Sequence, residues 1–224
     1  MSNLDQKLLR SAAEDFLYLL DRDYPRRAAL QLVGNRYNLD ALHREVLHRG
    51  VFARAEARER RDRLLEIERL VDSKLLVDGH NVLITVESGL AGRLLIAAND
   101  GVIRDVAGVS HRYRISTLTN EAIDTIFQIL QKYPPKETLF FFDAPIRQSG
   151  ELAAALRSAL KSWNLSGDAQ ALKVPEIQLI GGEGVVASSD SAVLDGVQRG
   201  FDLAATAIRW LPREVDLIDF TFLG

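Results

Sequence analysis

The chain has 224 residues, 47% of them apolar, enough for one full domain and a smaller appendage rather than a disordered polymer. It has no cysteine, which excludes disulfides, thiolate catalysis and cysteine-ligated zinc. No apolar run approaches the ~18 residues of a membrane span, and the acid-bearing start Met1-Ser2-Asn3-Leu4-Asp5 does not read as a secretory signal, so a cytoplasmic protein with no membrane partner is expected.

Net charge is −3, which alone does not advertise nucleic-acid binding. The distribution says more. Basic residues slightly outnumber acids up to Lys74, and acids outnumber bases beyond it, a hint of nucleic-acid contact.

Taken in order, residues 1–73 read as helices. Leu8, Leu9, Ala12, Phe16, Leu19 and Leu20 recur at helical spacing, and Asp23-Tyr24-Pro25 ends that run. A second helix fits Arg26 to Val33, closed by Gly34. Asn38 is the expected N-cap of a third, Leu39 to His48, closed by Gly50. A long helix from about Ala53 to Leu70 follows, dense in Arg and Glu at i, i+4 spacing.

The pattern changes at Lys74. Leu75-Leu76-Val77 is a short apolar run ending in Asp78-Gly79, and residues 82–86, 94–98 and 102–106 favour strand. Thr119 caps a helix containing Ile123, Ile126, Phe127 and Leu130. Leu139 to Phe142 is another strand, and a helix from Glu151 to about Trp163 follows. Ile177 to Ile180 and Val185 to Ala187 read as strands around Gly181-Gly182-Glu183-Gly184, then a helix from about Ser191 to Trp210 and a last strand, Val215 to Phe220. Apolar strands alternating with amphipathic helices predict a mostly parallel sheet. The expected division is a small all-α domain over 1–73 and an α/β domain over 74–224.

Three apolar runs end in, or are soon followed by, aspartate: Asp78, Asp143 and Asp190. In a parallel sheet the C-terminal strand ends share one edge, where such folds bind ligands. Carboxylates gathered there repel one another unless a cation lies between them, and an oxygen-only donor set suits Mg²⁺ or Mn²⁺. Each also has a plainer reading: Asp78-Gly79 as a hairpin turn, Asp143 before Ala144-Pro145 as a turn opener, Asp190 as a helix N-cap.

Leu76-Val77-Asp78-Gly79-His80-Asn81-Val82 resembles the opening strand of the PIN-like NYN nucleases, apolar-apolar-Asp-Gly-x-Asn. Phe141-Phe142-Asp143 and Val186-Ala187-Ser188-Ser189-Asp190-Ser191 resemble their middle and later strands. The resemblance covers roughly residues 74 to 220 and implies a three-layer PIN-like α/β domain. It also implies Mg²⁺ or Mn²⁺ held by Asp78, Asp143 and Asp190, hydrolysis of RNA phosphodiester bonds, and a substrate-side or loop-orienting role for Asn81. Such proteins commonly carry a further acid two residues after the third aspartate. Here that position is Ala192, and Asp195 is the nearest acid and the fourth candidate ligand. The wider chain, including Leu32 to Leu39 and Arg49-Gly50-Val51, is similar to a prokaryotic two-part family of unknown function.

Arg104, His111, Arg112 and Arg114 surround Tyr113, a composition that suits single-stranded RNA, with phosphates on arginine and bases stacked on tyrosine; a solvated loop is the alternative. Two other functional readings remain open: an RNA-binding or regulatory module on a degenerate nuclease fold, and a small phosphoester hydrolase. For the N-terminal helices the expectation is packing or homodimer formation rather than a DNA-reading helix-turn-helix, because Leu39 to His48 is poor in base-reading side chains.

Overall fold

The computed structural model describes residues 6–106 and 113–224. They form two compact units. One comprises Met1–Asp62, Leu94–Val106 and Leu217–Gly224; the other comprises Arg63–Arg93 and Ala107–Asp216. The first unit is therefore not the uninterrupted helical run expected up to residue 73, because two later segments complete it. No helix among the described residues is long and apolar enough to cross a membrane.

In the first unit, α1 (Gln6–Leu20) buries Leu9, Ala12, Ala13, Phe16, Leu17 and Leu20, one stripe at helical spacing. Helix α2 (Arg26–Arg36) starts directly after Pro25 and runs through Gly34 rather than ending there. Gly34 serves a close approach: a Cβ there would sit 1.9 Å from Nη1 of Arg44. Helix α3 (Ala41–Gly50) is capped by Asp40, whose side chain accepts from the His43 backbone N–H at 2.9 Å. The expected cap, Asn38, instead takes a left-handed turn conformation with φ 49°. Helix α4 (Arg54–Arg63) is shorter than expected, and the chain then passes through a bridge at Leu64 into a 3₁₀ turn at Ile67–Leu70.

Three short strands finish this unit. Strand β2 (Leu95–Ala97) pairs antiparallel with β3 (Ile103–Asp105) and parallel with β8 (Leu217–Asp219). Ile96, Phe220 and Leu223 share a core with α1, α2 and α3. The final strand predicted at 215–220 thus exists, but it belongs to this small sheet.

The second unit is built on five parallel strands in the order β5-β4-β1-β6-β7. These are β1 (Lys74–Asp78), β4 (Glu137–Asp143), β5 (Gly167–Leu172), β6 (Val185–Ala187) and β7 (Gly200–Phe201). Side chains alternate between the faces. Leu75, Val77, Phe140, Phe142, Val185 and Ala187 enter the larger core. Leu76, Phe141 and Val186 enter a smaller one on the other face. Helices α5 (Gly79–Leu90), α6 (Thr117–Lys132), α7 (Ser149–Ser162) and α10 (Leu203–Trp210) contribute to the first. The short α8 (Glu176–Gly181) and α9 (Ser191–Asp195) contribute to the second. Both faces are covered, which is why the strands read as unbroken apolar runs.

Several local expectations change. Residues 82–86 are helix, within α5; this helix is buried on nearly all sides, so it lacks the polar face that marks an amphipathic helix. Residues 177–180 are also helix, in α8, started by Pro175, whose carbonyl accepts from Gln178 and Leu179. The single helix expected over 191–210 is two, separated by β7. Helix α6 is capped one turn earlier than Thr119: the Thr119 hydroxyl accepts from the Ser116 backbone N–H at 3.0 Å. Strand β5 was not anticipated, since its Asp168 and Gln170 give it the polar face of an edge strand.

Candidate functional site

Asp78 ends β1, Asp143 ends β4, and Asp190 follows β6, three adjacent strands pointing the same way. After β1 the chain builds outward through β4 and β5, then returns to the other side of β1 for β6 and β7. That reversal opens a crevice beyond the carboxyl ends of the strands, the usual ligand position in such sheets. A cavity of about 340 Å³ lies there, and Asp78, Asn81, Asp143 and Asp190 all line it. Its apolar wall includes Ile146, Leu179 and Val193.

The local chemistry is set by turns and caps. Asp78 is the N-cap of α5, with Oδ1 accepting from the Asn81 backbone N–H at 3.4 Å. The hairpin reading of Asp78-Gly79 is thereby replaced by a strand-to-helix junction. Gly79 is required there: a Cβ would lie 2.2 Å from the Phe142 ring, so only glycine lets α5 start this close to β4. Asp78 Oδ2 accepts from Asn81 Nδ2 at 2.7 Å and from Ser188 Oγ at 2.8 Å. Ser188 Oγ in turn accepts from the Asp190 backbone N–H at 3.0 Å, and Ser189 Oγ donates to Asn81 Oδ1 at 3.3 Å. The loop after β6 is thus tied to the first turn of α5.

Burial pushes the Asp78 carboxyl up to about 6, despite the opposing hydrogen bonds from Ser188 and Asn81, and the nearby charge of Asp143 adds to the rise. Asp190 caps α9, its Oδ1 accepting from the Ala192 and Val193 backbone N–H groups at 2.8 and 3.2 Å. Capping therefore occupies one oxygen of Asp190, and the residue still lines the cavity.

Sequence reasoning missed three features here. Glu176, in the first turn of α8, lines the same cavity and supplies an acid immediately before the segment 177–180 read as strand. Ser188 and Ser189, visible only as a polar pair before Asp190, form the network to Asp78 and Asn81. His80, inside the Asp-Gly-x-Asn motif, is fully buried with Nδ1 against Asp143.

Of the remaining candidates, Asp195, Arg104 and Arg114 do not line the cavity. Asp195 is exposed, and its carbonyl accepts from Arg63 at 3.0 Å; it is absent from the cavity lining. Arg104 lies in the other unit, 4% exposed, with both Nη atoms on Asp100 at 2.7 and 2.8 Å; a guanidinium buried on a carboxylate is not offered to substrate. Tyr113 is no stacking platform: it is buried, donates to Glu87 Oε1 at 2.7 Å and stands edge-on to His80. Arg114 is exposed and does not line the cavity. His111 and Arg112 lie outside the described residues.

The donor chemistry at the cavity is all oxygen, as a hard cation requires. Among the described residues, however, no three Asp, Glu, His or Cys side chains are grouped closely enough to hold an ion by themselves. The expected three-aspartate cage is therefore not preformed. The residues fit a Mg²⁺-type ion held by one or two carboxylates, with water and substrate oxygens filling the shell.

A family model described as "Domain of unknown function (DUF5616)" matches residues 67–206, which hold all five strands of the parallel sheet and every acid lining the cavity. The chain belongs to the DUF5616 family. A second model, "Protein of unknown function (DUF434)", matches residues 8–63, so the two-part architecture read from the sequence is borne out. The "Uncharacterized protein MJ0935" of Methanocaldococcus jannaschii is 30% identical over 208 residues, covering 92% of this chain and 99% of that protein. No solved structure matches the chain.

Proposed function

We propose that this DUF5616 protein hydrolyses RNA phosphodiester bonds with the aid of Mg²⁺ or Mn²⁺ at the strand-end cavity. The observation that carries the reading is that Asp78, Asp143 and Asp190 line one cavity with Glu176, while among the described residues no Lys, Arg or His lines it. A phosphate cannot approach such a surface unless a cation accompanies it. Asp78 and Asp143 are the first choice of ligands, since the charge of one already acts on the other. A divalent ion bound there supplies an activated water and stabilises the leaving oxygen.

The chain's own residues then do the following. Asn81 and Ser188 hold Asp78 Oδ2 in place. Asp190 keeps Oδ1 on the α9 backbone, and the residue lines the cavity. Burial makes ionised Asp78 costly while no cation is present, and a bound cation offsets that cost.

The decisive experiment is cleavage of single-stranded RNA by purified protein with Mn²⁺, with EDTA as the control and Asp143→Asn as the site variant. Loss of cleavage with EDTA and in the variant supports the reading; cleavage by Asp143→Asn removes that residue from it. A second reading, an RNA-binding module on a degenerate site, is favoured by the absence of a closed ligand set among the described residues. Salt-sensitive RNA binding without cleavage of any RNA would select it.

A further inference from the structure

His80 is fully buried, yet it is a polar ring in an apolar slot. Its plane is fixed by two edge-on aromatic neighbours, Phe142 at 5.1 Å and Tyr113 at 5.6 Å between ring centres. Nδ1 lies 3.1 Å from the Asp143 backbone nitrogen and 3.2 Å from Asp143 Oδ2. Among the described residues Nε2 has no hydrogen-bond partner.

The two neutral tautomers lead to the same place. With a lone pair on Nδ1, the ring accepts from the Asp143 N–H; with a proton on Nδ1, it donates to Oδ2. In neither case is Nε2 satisfied. Leaving a buried nitrogen unpaired is destabilising, and an apolar ring would fill the slot without that cost. The position thus keeps a polar group whose hydrogen-bonding contacts, among the described residues, are with Asp143 alone, an acid of the cavity. Residue 80 also sits one step inside the helix that Asp78 caps. A rigid ring there joins the β1–α5 junction to the end of β4 and sets the spacing of the two carboxylates.

We infer that His80 is a positioning residue that fixes the Asp143 carboxylate for cation binding, an inference that rests on the divalent-cation reading above. Partners that orient a ligating carboxylate commonly change metal affinity by about 10–100-fold when removed.

The test is Mn²⁺ binding to the full chain, followed by electron paramagnetic resonance, with thermal melting alongside. The amide of His80→Asn falls where Nδ1 was, whereas that of His80→Gln falls where Nε2 was. His80→Phe keeps a ring and removes the unpaired nitrogen. The expected result is Mn²⁺ affinity within a few-fold of wild type for the Asn variant. The Gln and Phe variants should lose about 10–100-fold, with the Phe variant melting at or above the wild-type temperature. Wild-type affinity in the Phe variant would overturn the inference, as would losses of affinity that merely follow losses of melting temperature. A wild-type chain that binds no Mn²⁺ at millimolar concentration would instead overturn the cation reading itself.

Discussion

Ser188 Oγ donates to Asp78 Oδ2 across 2.8 Å, joining residues 110 positions apart in the chain. The same oxygen accepts from the Asp190 backbone, so one hydroxyl couples two of the cavity acids. A hydrogen bond to a buried carboxylate favours its ionised form. Ser188→Ala should therefore raise the Asp78 carboxyl further and destabilise the fold by roughly 1–3 kcal/mol. The loss should be larger near pH 8, where Asp78 is ionised, than near pH 5. Urea denaturation at the two values checks this; an equal loss at both would show that Ser188 serves the Asp190 backbone alone.

Asp78 itself gives a pH signature with a definite sign. Its folded-state value, about 6, lies above the ordinary 3.8, so the folded protein holds the proton more tightly than the unfolded chain. This contribution to stability is complete below about pH 4 and is lost as pH rises through about 6, a change of about 3 kcal/mol. Asp78→Asn removes that titration. The difference in unfolding free energy between variant and wild type should shift in the variant's favour across this window, because the other titrating groups are common to both. A constant difference from pH 4 to pH 8 would show that burial is not what governs Asp78.

In the smaller unit the charges are structural. Asp100 is fully buried; burial pushes its carboxyl up, and Arg104 foremost, with Arg60, pulls it below the usual carboxylate range. Arg104→Ala should cost about 3–5 kcal/mol by stranding part of that charge. Chemical denaturation measures it. Retained stability would mean that Arg60, at 3.2 Å, compensates alone.

The sheet edge was legible because its signal is local: three apolar runs, each followed by aspartate, survive any error in the helices between them. The mostly β-branched run Val82 to Val86 misled for a physical reason. A helix buried all round shows neither helical nor strand alternation, and only the capping contact from Asp78 to Asn81 reveals its start. Glu176 was invisible for the opposite reason: the apolar residues after it resemble a strand, although Leu179 alone in α8 is buried. Arg104 and Tyr113 looked like an RNA-binding pair because sequence adjacency cannot separate residues that fold into different units. The two-part organisation was readable, but the return of Leu94–Val106 and Leu217–Gly224 to the first unit depends on strand pairing between distant segments, which composition does not carry.

The cation reading has a test that needs no substrate. Any ion bound only by the folded chain stabilises it by mass action, by about 2.7 kcal/mol at a hundredfold excess over its dissociation constant. For a chain of this length that is a rise in melting temperature of roughly 5–10 °C, at about 2–4 °C per kcal/mol. Asp190→Asn separates the two roles of that residue. Asparagine caps a helix about as well as aspartate, so the α9 contacts to Ala192 and Val193 persist while one negative charge leaves the cavity. The metal-free variant should melt at the wild-type temperature or above it, through relief of repulsion among the cavity acids. With Mn²⁺, wild type should show the full rise, Asp143→Asn little of it, and Asp190→Asn less than wild type. An equal rise in Asp190→Asn and wild type would make Asp190 a cap alone. No rise in any of them well above millimolar Mn²⁺ would leave the strand-end aspartates as turn and cap residues, and the cavity would then need a ligand of different chemistry.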